Sequence, residues 1–123
     1  MITAFIMGVL AVIATLAIIT VFAITAKWVT KKVKERQAAN KRHKPIFADL
    51  RETIDSYIKE QKNKQKEYSM DELEKMCQEA PYVFADYDID TEEVVNYTGI
   101  KAEEIDADVK SRLKKVGGLV VFD

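Results

Sequence analysis

ITAFIMGVLAVIATLAIITVFAITA, residues 2–26, carries no charged side chain, and the eighteen residues after it are among the most basic in the chain. The reading of this stretch decides the expected fold. A bilayer core about 30 Å thick needs roughly 20 helical residues, so the run is long enough to span with some tilt. Thr3, Thr15, Thr20 and Thr25 do not oppose a membrane helix, because each hydroxyl can bond a carbonyl one turn back. A cleaved signal peptide fits less well. No Lys or Arg precedes the run, the run exceeds the usual apolar length of about 7–15 residues, and Ala23-Ile24-Thr25 is a poor cleavage site. The expectation is a single transmembrane helix over residues 2–26.

The flanks orient it. Lys27, Lys31, Lys32, Lys34, Arg36, Lys41, Arg42 and Lys44 are opposed only by Glu35, while the other side offers only the α-amino group. The positive-inside rule then puts the N-terminus outside and the rest in the cytoplasm, with Trp28 as an interfacial anchor. Residues 27–44 read as a basic juxtamembrane stem. Lys27, Trp28, Lys31, Lys32, Lys34, Arg36, Lys41, Arg42 and Lys44 are its candidate contacts with anionic lipid. Ala4 and Gly8 form a small-xxx-small pair through which two such helices could associate.

The net charge of −1 hides a strong asymmetry: residues 27–44 sum to +7 and residues 67–108 to −12. Cys77 is the single cysteine, so no intramolecular disulfide can form, in keeping with a reducing compartment. On a helix face it reads as a small buried hydrophobe.

Beyond the stem, residues 45–66 read as an amphipathic helix and linker. Pro45 stands in the first turn, the stripe Phe47, Leu50, Ile54, Tyr57 follows, and Gln61–Lys66 is a solvated end. The Phe47–Tyr57 helix is a second candidate for weak pairing with another copy. Residues 67–123 read as a small acidic domain. Ser69-Met-Asp-Glu72 is a capping box opening a helix with Leu73, Met76 and Cys77 on one face. Tyr82-Val83-Phe84 leaves no room for a long strand. Asp90-Thr-Glu-Glu93 caps a helix containing Val94, Val95 and Tyr97, ended by Gly99 in a left-handed turn. A last helix runs from about Lys101 to Val116 with Ile105, Val109 and Leu113 inward. Gly117-Gly118 stops it, and Leu119–Phe122 is a short strand.

Helix, Thr98-Gly99-Ile100, longer helix, Gly-Gly and short apolar strand resemble the helix-turn-helix and first wing strand of winged-helix repressors, over about 30 residues. The resemblance implies that the Lys101 helix would enter a DNA major groove by its first turn. That turn holds Glu103 and Glu104, followed by Asp106 and Asp108, and carboxylates repel phosphate. Acids early and bases late in this helix also complement its dipole. Protein recognition is therefore favoured over DNA, with Lys101, Glu103, Glu104, Lys110, Lys114 and Lys115 as the candidate partner-binding residues.

Catalytic chemistry is not expected. His43 is the only histidine and lies in the stem, away from the folded domain. There is no glycine-rich phosphate loop, zinc spacing or nucleophile elbow. Asp86-Tyr-Asp88-Ile-Asp90 alternates acids like a calcium loop but has Thr91 and Tyr97 where that loop needs Gly and Glu. No cofactor or metal is implied. The expected molecule is mainly α: one transmembrane helix, a basic helical stem, and a small cytoplasmic helix-turn-helix-like domain with one short C-terminal strand. It would sit in the cell membrane and recruit or regulate a protein partner there. The alternatives are a membrane tether for DNA and an accessory subunit acting through its membrane helix.

Overall fold

The computed structural model describes residues 2–60 and 70–123, so the capping box at Ser69 and the Gln61–Lys66 segment lie outside the described residues. The described chain folds as an α/β sandwich: a mixed five-stranded sheet with helices on both faces. No described helix is long and apolar enough to cross a membrane. This overturns the single-pass architecture, the cell-membrane location and the anchored function expected above.

The apolar run does not form one helix. It divides into α1 (Ile2–Val12), a 3-10 turn (Ile13–Thr15) and strand β1 (Ala17–Ile24). At the break the Thr15 hydroxyl donates to the carbonyl of Val12 at 3.2 Å. The β-branched sequence Ile18-Ile19-Thr20-Val21 that follows favours a pleated strand over a helix. Helix α1 meets the domain through Phe5, Ile6 and Val9, all fully buried. The rest of the chain thus wraps this helix as part of its core.

Thr25 ends β1 and caps α2 (Ala26–Ala39), its hydroxyl oxygen accepting from the Trp28 N–H at 3.1 Å. The remaining elements are β2 (His43–Asp49), α3 (Leu50–Glu60), α4 (Met70–Glu79), β3 (Tyr82–Asp88), β4 (Glu93–Ile105), α5 (Ala107–Lys115) and β5 (Leu119–Val121). The sheet order is β1-β4-β3-β2-β5, with β1 parallel to β4 and every other pair antiparallel. The hairpin β3–β4 is inserted between β1 and β2, which α2 connects across the sheet.

Alternation along the strands sorts the core into two layers. Ile46, Ala48, Val83 and Ala85 face α1, α3 and α4, together with Leu50, Ile54, Tyr57, Leu73, Met76 and Cys77. Phe47, Tyr82, Phe84 and Ile100 face α2 and α5, together with Val29, Val33, Val109 and Leu113.

Further expectations are corrected. Pro45 lies inside β2, not at a helix start. Its carbonyl accepts from the Phe122 N–H at 2.8 Å, just past the end of β5. The side on which proline lacks a donor is therefore where the neighbouring strand has run out. The stripe beginning at Phe47 becomes helical only from Leu50, and Phe47 points to the opposite layer. Most of the helix-turn-helix segment is a single long strand, β4, and only Ala107–Lys115 of the expected last helix is helical. Asp90-Thr-Glu-Glu93 is no helix cap. The Asp88 carboxylate accepts the Asp90 N–H at 2.9 Å and the Thr91 N–H at 3.4 Å and so makes the β3–β4 turn. Gly99 is a strand residue: a Cβ there would lie 3.0 Å from both Ala80 Cβ and Leu16 Cδ2, so close packing rather than a left-handed turn requires glycine.

Candidate partner-binding face

The first helix layer is acidic. Helices α3 and α4 carry Glu52, Asp55, Glu60, Asp71, Glu72, Glu74 and Glu79 against Arg51, Lys59 and Lys75. The second is basic: α2 carries Lys27, Lys31, Lys32, Lys34 and Arg36 against Glu35, and α5 carries Lys110, Arg112, Lys114 and Lys115 against Asp108. The fold thus brings the stem and the end of the chain together on one side of the sheet.

Of the residues expected at a lipid surface, two turn inward. Trp28 is half-buried with its ring 5.8 Å from that of Phe84. Arg36 follows Val29 and Val33 on the sheet-facing side of α2. Its guanidinium donates to Asp86 Oδ1 at 2.9 Å, to the Asn96 carbonyl at 3.1 Å and to the Thr98 hydroxyl at 3.0 Å, and lies over the Phe84 ring. A β-bulge makes this possible. Phe84 pairs with Thr98 but Asp86 with Val95, so β4 holds one extra residue, and Asn96 takes a positive φ of 58° there. The Asn96 amide then donates to Asp86 Oδ2 at 3.2 Å.

His43 belongs to this cluster, contrary to its expected place outside the folded domain. It sits on β2 opposite Asp88, with Nδ1 3.3 Å from Asp86 Oδ2. Its Nε2 is 3.1 Å from the Asn40 side chain and 3.5 Å from Asp88 Oδ2. Both ring nitrogens are engaged by protein groups, so the imidazole presents none to an incoming molecule. Next to it Arg42 pairs with Asp90, which holds the Asp90 carboxyl below its ordinary range; backbone N–H groups of Asp90 and Thr91 do the same for Asp88. The cluster clamps α2 and the β3–β4 turn onto the sheet. Among the described residues no group of three His, Cys, Asp or Glu is placed to hold a metal ion. Cys77 is buried, and desolvation pushes its thiol up to about 11, far from a reactive thiolate.

The outward cations are left over. Lys27, Lys31, Lys34, Arg112, Lys114 and Lys115 are exposed and form no ion pair among the described residues. Lys32 pairs with Glu35, and Lys44 with Asp123. Lys110 is partly committed inward. Burial lowers its pKa, but Tyr82 and the buried Asp49, 3.7 Å away, outweigh that and raise it.

Between α2 and α5 runs an apolar groove of about 300 Å³. Phe47, Val120 and Phe122 are among the residues lining it from the sheet side, Val29 and Thr30 from α2, and Val109, Leu113 and Val116 from α5. Val116 is 54 % exposed. The expected partner-binding residues therefore split. Lys110, Lys114 and Lys115 are on α5, whose Val109, Arg112 and Leu113 line the groove. Lys101, Glu103 and Glu104 are exposed on β4, at the other side of the sheet next to β1. The groove was not legible beforehand, because it needs α2, β2, α5 and β5 in one place. Gly8, expected on a self-association face, instead packs against Tyr97: a Cβ at Gly8 would land inside the Tyr97 hydroxyl. Phe47 and Tyr57 are both buried, in different layers.

Comparison with protein-family models, with curated proteins and with solved structures gives no match for this chain.

Proposed function

We propose that the chain is a non-catalytic protein-interaction domain that takes an acidic, amphipathic segment of a protein partner along the α2–α5 face. The observation that carries this reading is an open apolar groove framed by two helices whose outward cations have no partner within the described chain. Lysine and arginine rows alone would suit any polyanion. The groove is what favours a protein, because a nucleic-acid duplex offers phosphates but keeps its bases stacked inside, with no aliphatic or aromatic side chain to place against Val116, Val120 and Phe122. A segment carrying Glu or Asp at helical spacing around one Leu or Phe would meet both features at once. The acidic α3–α4 layer on the far face would repel the same segment and so help to orient it.

The test uses three probes of equal charge on the full chain: a peptide of Glu with interspersed Leu, an all-Glu peptide, and a random-sequence DNA duplex. The Glu/Leu peptide should bind at least tenfold more tightly than the all-Glu one. Val116→Asp should abolish that difference, and Lys31→Glu with Lys114→Glu should weaken both peptides. Equal binding of the two peptides, or duplex DNA binding tightest with a steep salt dependence that Val116→Asp leaves unchanged, would replace the protein reading with a nucleic-acid one.

A further inference from the structure

Strand β1 is an edge of the sheet, hydrogen-bonded among the described residues to β4 alone. Natural sheets blunt such edges with charges, proline, bulges or a covering element. β1 has no charged residue and no proline, and its pairing with β4 runs without a register shift. Ile18, Ile19 and Phe22 are 40 %, 46 % and 67 % exposed. A strand of this kind is a template for another strand.

We propose that β1 pairs antiparallel with β1 of a second copy about a twofold axis through Thr20, joining the two sheets into one. The argument for a second copy is self-complementarity. Ile18 and Phe22 stand two residues either side of Thr20 and, by the period of a strand, on the same face as it. Centring the pair on Thr20 sets Ile18 of each copy against Phe22 of the other, Ile19 against Val21, and Thr20 against Thr20. Aromatic–β-branched and Thr–Thr pairs are favourable cross-strand neighbours. Moving the centre to Ile19 would set Phe22 opposite Leu16, beyond the strand, and moving it to Val21 would set Phe22 opposite Thr20. The nearest charges, Lys101 and Glu103, lie one strand further in, so no like charges are forced together at the seam. This surface lies away from the α2–α5 groove, and the inference does not depend on the function proposed for that groove.

The test is the association state of the full chain by sedimentation equilibrium, combined with a cysteine scan along β1. The parent should be a reversible dimer, and Phe22→Lys should be a monomer with an unchanged circular dichroism spectrum. Under mild oxidation Thr20→Cys should form a covalent dimer, because directly opposed Cα atoms lie about 4.5–5.5 Å apart, within disulfide reach. Ile19→Cys, whose copy is offset in this register, should not, and neither should the parent, whose Cys77 is buried. A parent that is monomeric or forms open-ended assemblies would overturn the proposal. So would a Phe22→Lys variant that stays dimeric, or crosslinking at Ile19→Cys as efficient as at Thr20→Cys.

Discussion

The two helix layers cover the same sheet in opposite ways. On one side α1, α3 and α4 close over the strands, with Phe5, Ile6, Val9, Leu50 and Met76 almost wholly buried and an acidic exterior. On the other, α2 and α5 stand apart over a groove and present unpaired cations. The α1–α4 side has a hollow too, of about 430 Å³, but Glu72, Lys75 and Glu79 of mixed sign line it rather than unpaired cations. The difference teaches where to look for function: the acidic layer buries the largest side chains, and the basic layer presents cations that the fold leaves unpaired among the described residues.

That contrast predicts unequal responses to equal truncations. Phe5→Ala removes a fully buried ring and should cost about 3–5 kcal/mol in denaturant unfolding. Phe122→Ala, half-buried on the groove, should cost about 1 kcal/mol or less, while weakening the Glu/Leu peptide. Equal losses at the two sites would erase the distinction between the packed core under α1 and the half-buried groove.

The ion-pair cluster that seats α2 can be attacked next. Asp86→Ala leaves the Arg36 guanidinium and the His43 ring without their shared carboxylate, and breaking a largely buried pair of this kind costs about 3–5 kcal/mol. The loss should appear as faster amide exchange in α2 before exchange in α3. Uniform acceleration through both layers would mean that the cluster does not specifically hold the basic face.

The smallest effect concerns the β3–β4 turn. The folded carboxyls of Asp88 and Asp90 titrate below their ordinary range, so their contribution to stability is present above that range and disappears as pH falls through the depressed values. Protection of the Asp90 and Thr91 amides, relative to the intrinsic exchange rate at each pH, should therefore be lost on acidification only below the usual carboxylate pKa. A loss already complete above it would remove the turn from the account.

A few local elements were legible in local pattern, although the mainly helical architecture was not borne out. The Leu50–Ile54–Tyr57 and Leu73–Met76–Cys77 faces are helical and buried, and α5 ends at Gly117-Gly118 before a short strand, because period and punctuation act within a few residues. The apolar run failed for the opposite reason. Hydropathy averaged over residues 2–26 is the same whether they lie in lipid or in a protein core, and the average hid the β-branched cluster at Ile18–Val21 that favours a strand. Asp90-Thr-Glu-Glu93 misled because an Asp carboxylate accepts backbone N–H groups in a turn, as Asp88 does here, as readily as at a helix start. Arg36 and His43 are separated from Asp86 by 50 and 43 residues of chain and meet it only through β2–β3 pairing and the bulge at Asn96, which no local spacing encodes. The basic residues of the stem and of α5 were identified as binding candidates, but their meeting on one face depends on the crossover through α2.

The claim on which all of this depends is that the apolar run belongs to the fold, half of it as core helix and half as edge strand. Backbone chemical shifts of the full chain by NMR test it most directly. The account predicts helical shifts over Ile2–Val12, extended shifts over Ala17–Ile24, and cross-strand contacts linking Ile19 to Ile100 and Val21 to Ala102. Continuous helical shifts from Ile2 through Ala26 and on into α2, without contacts to β4, would contradict it.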